Sequence, residues 1–229
     1  MIIDSKEKIA NIAEKKIDWF RDRLLTWAET NFRDYPWRKT ANPYDIVVAE
    51  FLLQKTDADT VAPIYKTFLA RYPSIDKLVS AEIEDIATLL QPLGLLFRAE
   101  RLYKTANIIA EKYAGKIPDT EKELLALPGI GSYTARAICS QAFAQPAAVL
   151  DTNVARILER FFNIKGERVK SRCKILWYAA DAIAPKRNVG RWNLTLLDFG
   201  AKVCIARNPK CDICPLCSRC NYGNLQNKQ

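Results

Sequence analysis

Five of the seven cysteines, Cys204, Cys211, Cys214, Cys217 and Cys220, crowd into one short stretch near the end of the sequence. Thiolates at such intervals are spaced to share a metal centre rather than to form a disulfide framework. With no histidine anywhere in the chain, the donors are soft sulfurs alone, which suit zinc or an iron–sulfur cluster. Two ligand sets fit the spacing. Cys211, Cys214, Cys217 and Cys220 form an unbroken C-x2-C series, whereas Cys204, Cys211, Cys214 and Cys220 read C-x6-C-x2-C-x5-C. Lys202, Arg207, Lys210 and Arg219 surround the loop and offer phosphates a basic surface. Cys139 and Cys173 fall in helical patterns and are expected to be small core residues.

The lack of histidine also leaves acid–base and nucleophilic chemistry to carboxylates, thiols, lysine or tyrosine. Asp151, in "VLDTNVARIL", stands immediately before an apolar-periodic segment. That is the place of a helix N-cap. Glu50, in "VVAEFLLQKT", has Ile46, Val47 and Val48 before it and Phe51, Leu52 and Leu53 after it. Such a carboxylate lies either at a turn-facing surface or in a pocket, where desolvation raises its pKa. Tyr133, in "LPGIGSYTARAI", opens a helix, where it either packs the hairpin or lines a site.

The elements that carry these residues read as helices. Ile17, Phe20, Leu24 and Trp27 share a face, as do Val61, Ile64, Tyr65, Phe68 and Leu69. Further stripes run through Ala99, Leu102, Ala106, Ile109 and Tyr113, and through Val154, Ile157, Leu158 and Phe161. Proline-bearing breaks such as "NPY", "QPLG", "IPDT" and "LPGIG" separate them, and alternating β-branched runs are scarce. An all-α protein of about ten short helices follows. A chain of 229 residues is long enough for one large domain or two small ones without disulfides. Its formal charge of +9 fits either a polyanionic partner, with nucleic acid the usual one, or a merely soluble basic protein. No apolar run is long enough to span a bilayer, and the N-terminal stretch lacks a signal-peptide core. The location expected on those grounds is cytoplasmic.

"ELLALPGIGSYTARAI" reads as helix, tight turn, helix. Gly129 and Gly131 permit conformations or close approaches that a Cβ would forbid, and the turn's N–H groups can hold a phosphate. Taken together, "LPGIGSYTA", then "VLDTNVARIL", then the cysteine loop resemble the helix-hairpin-helix DNA glycosylases of the endonuclease III superfamily. "RDYPWRKTANPYDIVVAEFLLQKT" resembles the branch with the adenine- and thymine-mismatch enzymes, and the likeness spans roughly residues 20–222.

The resemblance implies two helical domains with DNA at their junction. One is a six-helix barrel with the hairpin, residues 42–146; the other joins 1–41 to 147–229 and carries the cluster. It implies a [4Fe–4S] cluster on Cys204, Cys211, Cys214 and Cys220, with Cys217 spare and the cluster structural rather than catalytic. Asp151 takes the catalytic role at C1′ and Glu50 contacts the flipped base. Tyr133 stands where bifunctional relatives have a Schiff-base lysine, which a phenol cannot replace, so base release by water is expected. Gly129, Ile130 and Gly131 would hold DNA phosphate. Gln54 and Lys55 would fill the gap left by the nucleotide, Leu95 and Leu96 would wedge between bases, and Arg98 would contact phosphate.

The function implied is base excision on double-stranded DNA by a nucleoid-associated monomer, with thymine or uracil opposite guanine as the favoured target. Adenine opposite guanine or its oxidised form is the alternative. Tyr133 departs from that group's usual residue, and the sequence stops at Gln229 without the further domain those relatives use. A damaged or modified cytosine, a non-catalytic structure-specific DNA-binding protein, and a zinc module on a helical scaffold are the other readings.

Overall fold

The structure, a computed structural model, describes residues 7, 9–94 and 97–226. Twelve helices have defined bounds among them: α1 (Glu14–Asn31), α2 (Pro43–Leu52), α3 (Ala58–Arg71), α4 (Ile75–Val79), α5 (Ile83–Leu90), α6 (Phe97–Tyr113), α7 (Glu121–Leu125), α8 (Ser132–Ala142), α9 (Thr152–Phe162), α10 (Lys174–Ile183), α11 (Val189–Lys202) and α12 (Asn221–Gln226). The described residues contain no strand, and no helix among them is long and apolar enough to cross a membrane. The chain divides into two compact units, one of residues 34–143 and one joining 1–33 to 144–229.

In the contiguous unit, the mostly apolar α2 is buried at Tyr44 and from Ile46 to Leu52, leaving only Pro43 and Asp45 partly open. Asn42 caps its N-terminus by accepting from the Tyr44 N–H at 2.9 Å, and Pro43 supplies a preset first turn. Helices α3, α6 and α8 pack against it. The facing surface of α8 is small, with Ala135, Ala137, Ile138, Cys139 and Ser140 all buried. The segment ahead of α2, from Asp34, packs into this unit although the resemblance implies a place for it in the other. Trp37 meets the Tyr65 ring at 5.5 Å, and the Tyr35 hydroxyl donates to Asp59 at 2.9 Å. Two aromatic anchors hold it there.

The discontinuous unit closes around aromatic packing. Phe20 of α1 meets Phe161 at 4.6 Å, Phe162 at 5.0 Å and Trp192 at 5.8 Å. Helix α9 buries Val154, Ala155, Ile157, Leu158, Phe161 and Phe162 along one face. It lies so close to α11 that a Cβ on Gly200 would sit 2.6 Å from Asn153 Cβ, hence the glycine. Asp198 of α11 is fully buried and accepts from the Arg33 side chain and from its backbone N–H at 2.9 Å. A buried carboxylate needs such partners.

Candidate active site and cysteine loop

Glu50 is buried rather than surface-exposed. It occupies the last turn of α2, is 7% exposed, and burial pushes its carboxyl up to about 7. The Gln141 amide, from the last turn of α8, donates to Glu50 Oε1 at 3.4 Å and opposes that rise. Gln141 is invisible to pattern reading, because its place opposite Glu50 arises only from the α2–α8 contact. Tyr133 is the second residue of α8 and is half-buried.

The hairpin between α7 and α8 uses its two glycines differently. Gly129 has φ +82°, and a Cβ there would meet Phe51 at 3.0 Å and the Arg101 side chain at 3.2 Å. Gly131 has an ordinary φ of −101° as N-cap of α8, and a Cβ would meet nothing. The expectation that both glycines escape a forbidden Cβ thus holds within the protein for Gly129 alone. Ile130 is 7% exposed and its N–H donates to the Leu127 carbonyl at 3.3 Å, so it anchors the turn rather than offering itself to a ligand. Thr105 of α6 fixes the turn by donating to the Pro128 carbonyl at 2.7 Å.

Gln54 and Lys55 part company in the loop after α2. The Gln54 amide donates to the Gly129 carbonyl at 3.0 Å, tying this loop to the hairpin, while Lys55 is exposed with φ +56°. Arg98, expected at phosphate, is only 1% exposed and points inward. Its guanidinium donates to the carbonyls of Leu52 and Gln54 and to the Thr56 hydroxyl. An arginine in sequence next to a loop suggests a surface contact; the carbonyls left unpaired where α2 ends draw it inside. Leu95 and Leu96 lie outside the described residues.

Asp151 is the N-cap of α9, and both its oxygens are engaged. Oδ1 accepts from the Val154 N–H at 2.7 Å and Oδ2 from the Asn153 amide at 2.8 Å. Burial raises its pKa, while these bonds and nearby Arg156 hold it down. Arg156 donates to Asn153 Oδ1 at 2.7 Å, to the Gly200 carbonyl at 2.8 Å and to the Cys204 carbonyl at 2.7 Å. Ahead of the cap, buried Asn193 accepts from the Val149 N–H at 3.2 Å and donates to the Ala147 carbonyl at 2.9 Å. Asp151 is therefore pinned from both directions by residues that the sequence pattern did not single out.

One turn beyond Arg156, Arg160 grips the cysteine loop. It donates to the Ile205 carbonyl at 2.7 Å, the Ala206 carbonyl at 3.0 Å and Cys204 Sγ at 3.5 Å, with Tyr222 under its guanidinium. Repeated turns then bring the remaining cysteines round: the N–H of Cys214 reaches the Cys211 carbonyl, that of Cys217 reaches Cys214, and that of Cys220 reaches Cys217. Burial, and then the neighbouring sulfurs of Cys204, Cys217 and Cys220, push the Cys211 thiol up. Sulfurs gathered so closely disfavour one another's ionisation unless metal charge is placed among them, so the donor set fits an iron–sulfur cluster. Arg219 lies over Trp19 at 4.7 Å, joining the loop to α1.

Residues 48–179 match the model of the HhH-GPD superfamily base excision DNA repair proteins, and residues 204–220 that of the iron–sulfur binding domain of endonuclease III. The chain is 36% identical to a thymine/uracil-DNA glycosylase of Methanothermobacter thermautotrophicus, over 91% of this chain and 95% of the relative. It is 38% identical to an adenine DNA glycosylase of Buchnera aphidicola subsp. Schizaphis graminum over 88% of its own length, but spans only 58% of that relative. A solved thermostable thymine-DNA glycosylase superposes with a TM-score of 0.87 at 35% identity, covering 92% of this chain and 98% of that one. The chain belongs to the HhH-GPD superfamily of base excision DNA repair proteins and carries that superfamily's [4Fe–4S] cluster domain.

Proposed function

We propose that the protein is a monofunctional DNA glycosylase that hydrolyses the N-glycosidic bond of thymine or uracil opposite guanine. The observation that carries the reading is Asp151, a half-buried carboxylate whose ionised form is held by the Val154 N–H, the Asn153 amide and Arg156. As the C1′–N bond breaks, its electron pair leaves with the base and positive charge grows on the sugar. The Asp151 carboxylate stabilises that charge, and it accepts the proton of the water whose oxygen bonds to C1′. Glu50, with its carboxyl pushed up to about 7, is protonated often enough near neutrality to hydrogen-bond the departing base. Tyr133 offers a ring and a hydroxyl rather than an amine, which favours water over a Schiff base and leaves an intact abasic strand.

Likeness to a thymine/uracil enzyme along nearly the whole of both chains supports the pyrimidine target. Adenine is the second reading, favoured by the 38% identity to the Buchnera adenine enzyme. In the cluster domain, Cys204, Cys211, Cys214 and Cys220 would be the ligands and Cys217 the spare. Bound there, the cluster crosslinks the loop and presents Lys202, Arg207, Lys210 and Arg219 to phosphate. The test is Asp151→Asn: base release from a T·G duplex falls on the order of 10²–10³-fold while duplex binding persists. Full activity in that variant contradicts the mechanism.

A further inference from the structure

Arg98 is an arginine spent on its own protein. It is the second residue of α6, is 1% exposed, and its Nε is buried with no hydrogen-bond partner among the described residues. Three oxygens of one short loop receive the rest of the guanidinium. Nη1 donates to the Leu52 carbonyl at 2.8 Å, and Nη2 donates to the Gln54 carbonyl and, at 2.9 Å, to the Thr56 hydroxyl. Leu52 ends α2, where carbonyls lack helical partners and carry the negative end of the helix dipole. The delocalised, weakly hydrated guanidinium matches that end better than an ammonium does, because it offers several donors in one plane.

The loop so gripped contains Lys55 in the left-handed region, with φ +56°. A lysine does not hold that conformation unaided; surrounding bonds must impose it. Arg98 bonds the residue before Lys55 and the residue after it. Thr56 also donates to the Leu93 carbonyl at 3.3 Å, and Gln54 to the Gly129 carbonyl at 3.0 Å. The backbone on either side of Lys55 is thereby fixed to two other loops of the same unit, while the Lys55 side chain stays exposed.

We propose that Arg98 is a positioning residue for duplex opening: by bonding residues 52, 54 and 56 it locks the loop so that Lys55 is presented, already ordered, to the strand from which the nucleotide is drawn. The inference rests on the glycosylase reading of this chain. A loop ordered in advance loses little freedom on entering DNA, whereas a slack one must be ordered at the moment of opening. Gln54, spent on Gly129, is part of the lock and not the inserted group.

The experiment compares wild type with Arg98→Met and Arg98→Lys on a labelled T·G duplex and on the same strand unpaired, where no base pair has to be opened. Base release is read in single turnover, and the opening step by the fluorescence of 2-aminopurine beside the mismatch. Arg98→Met is expected to lose about tenfold or more on the duplex, with the opening signal, and less than about threefold on the single strand. Arg98→Lys recovers part of the duplex rate by reaching one carbonyl. Equal loss on both substrates, or an unchanged duplex rate, overturns the proposal. Thr56→Val keeps Arg98 and removes one acceptor, so it must shift the same ratio in the same direction even if Arg98→Met fails to fold. Wild type that opens the duplex without releasing thymine or uracil overturns the base assignment and leaves the opening signal to judge Arg98. Wild type that opens no duplex overturns both.

Discussion

The Asn153 amide lies 2.8 Å from Asp151 Oδ2, so the proposed catalytic carboxylate is held by a neighbour that is itself held by Arg156. Asp151, Asn153 and Arg156 share the first turns of α9, and Arg156 ends on the carbonyl of Cys204. The carboxylate and the start of the cysteine loop are thus joined by side chains of a single helix.

Asn153→Leu removes a bond that favours ionised Asp151, leaving burial to raise its pKa further. The reaction needs the carboxylate, so the acid limb of the single-turnover pH profile should move to higher pH, with release at the plateau reduced about tenfold. A variant that lowers the rate equally at every pH would show that Asn153 serves packing alone.

Glu50 sets a pH dependence of stability whose sign follows from its raised pKa. Between its ordinary value of 4.5 and about 7 the folded protein holds the proton and the unfolded chain does not. Stability contributed by this group is therefore present below 4.5 and declines as pH rises towards 7, by about 3 kcal/mol in total. Glu50→Gln, which keeps the shape without the charge, should be more stable than wild type at pH 8. The gap should close near pH 4, as followed by denaturant midpoints, and excision should fall in the variant. Equal midpoints for the two proteins at pH 8 would contradict the buried-carboxylate account.

Arg160 bonds two carbonyls and one sulfur of the cysteine loop. Arg160→Ala should release that loop and, with the cluster loaded, make its visible absorption bleach several-fold faster under an iron chelator. The loss should appear before any change in helix content. Bleaching at the wild-type rate would mean that the cysteines hold the loop without the arginine.

Tyr133→Lys places an amine at the start of α8. If Tyr133 faces C1′, the variant should gain strand nicking and a covalent complex trapped by borohydride. Failure to trap one would remove Tyr133 from the reacting centre.

Much of this was legible in the sequence because the pattern was local. Apolar periodicity marked the buried faces of α3, α6 and α9, and Asp before "TNVARIL" marked the α9 cap. The apolar neighbours of Glu50 left it either buried or at a turn-facing surface, and it is buried. What was missed depends on contacts distant in sequence. Gln141 meets Glu50 across 91 positions, and Asn193 reaches Val149 across 44. Arg98 shows the limit most plainly: a charged residue beside a loop reads as a surface contact, and only the unpaired carbonyls ending α2, 46 positions earlier, explain why it turns inward.

The most direct measurement of the central claim is single-turnover release on end-labelled duplexes carrying T·G, U·G, A·G, adenine opposite 8-oxoguanine, and matched pairs, each read with and without hot alkali. The account predicts strand cleavage at T·G and U·G only after alkali, marking an abasic site left by water. Cleavage confined to the adenine strands, or nicking of T·G without alkali, would contradict it.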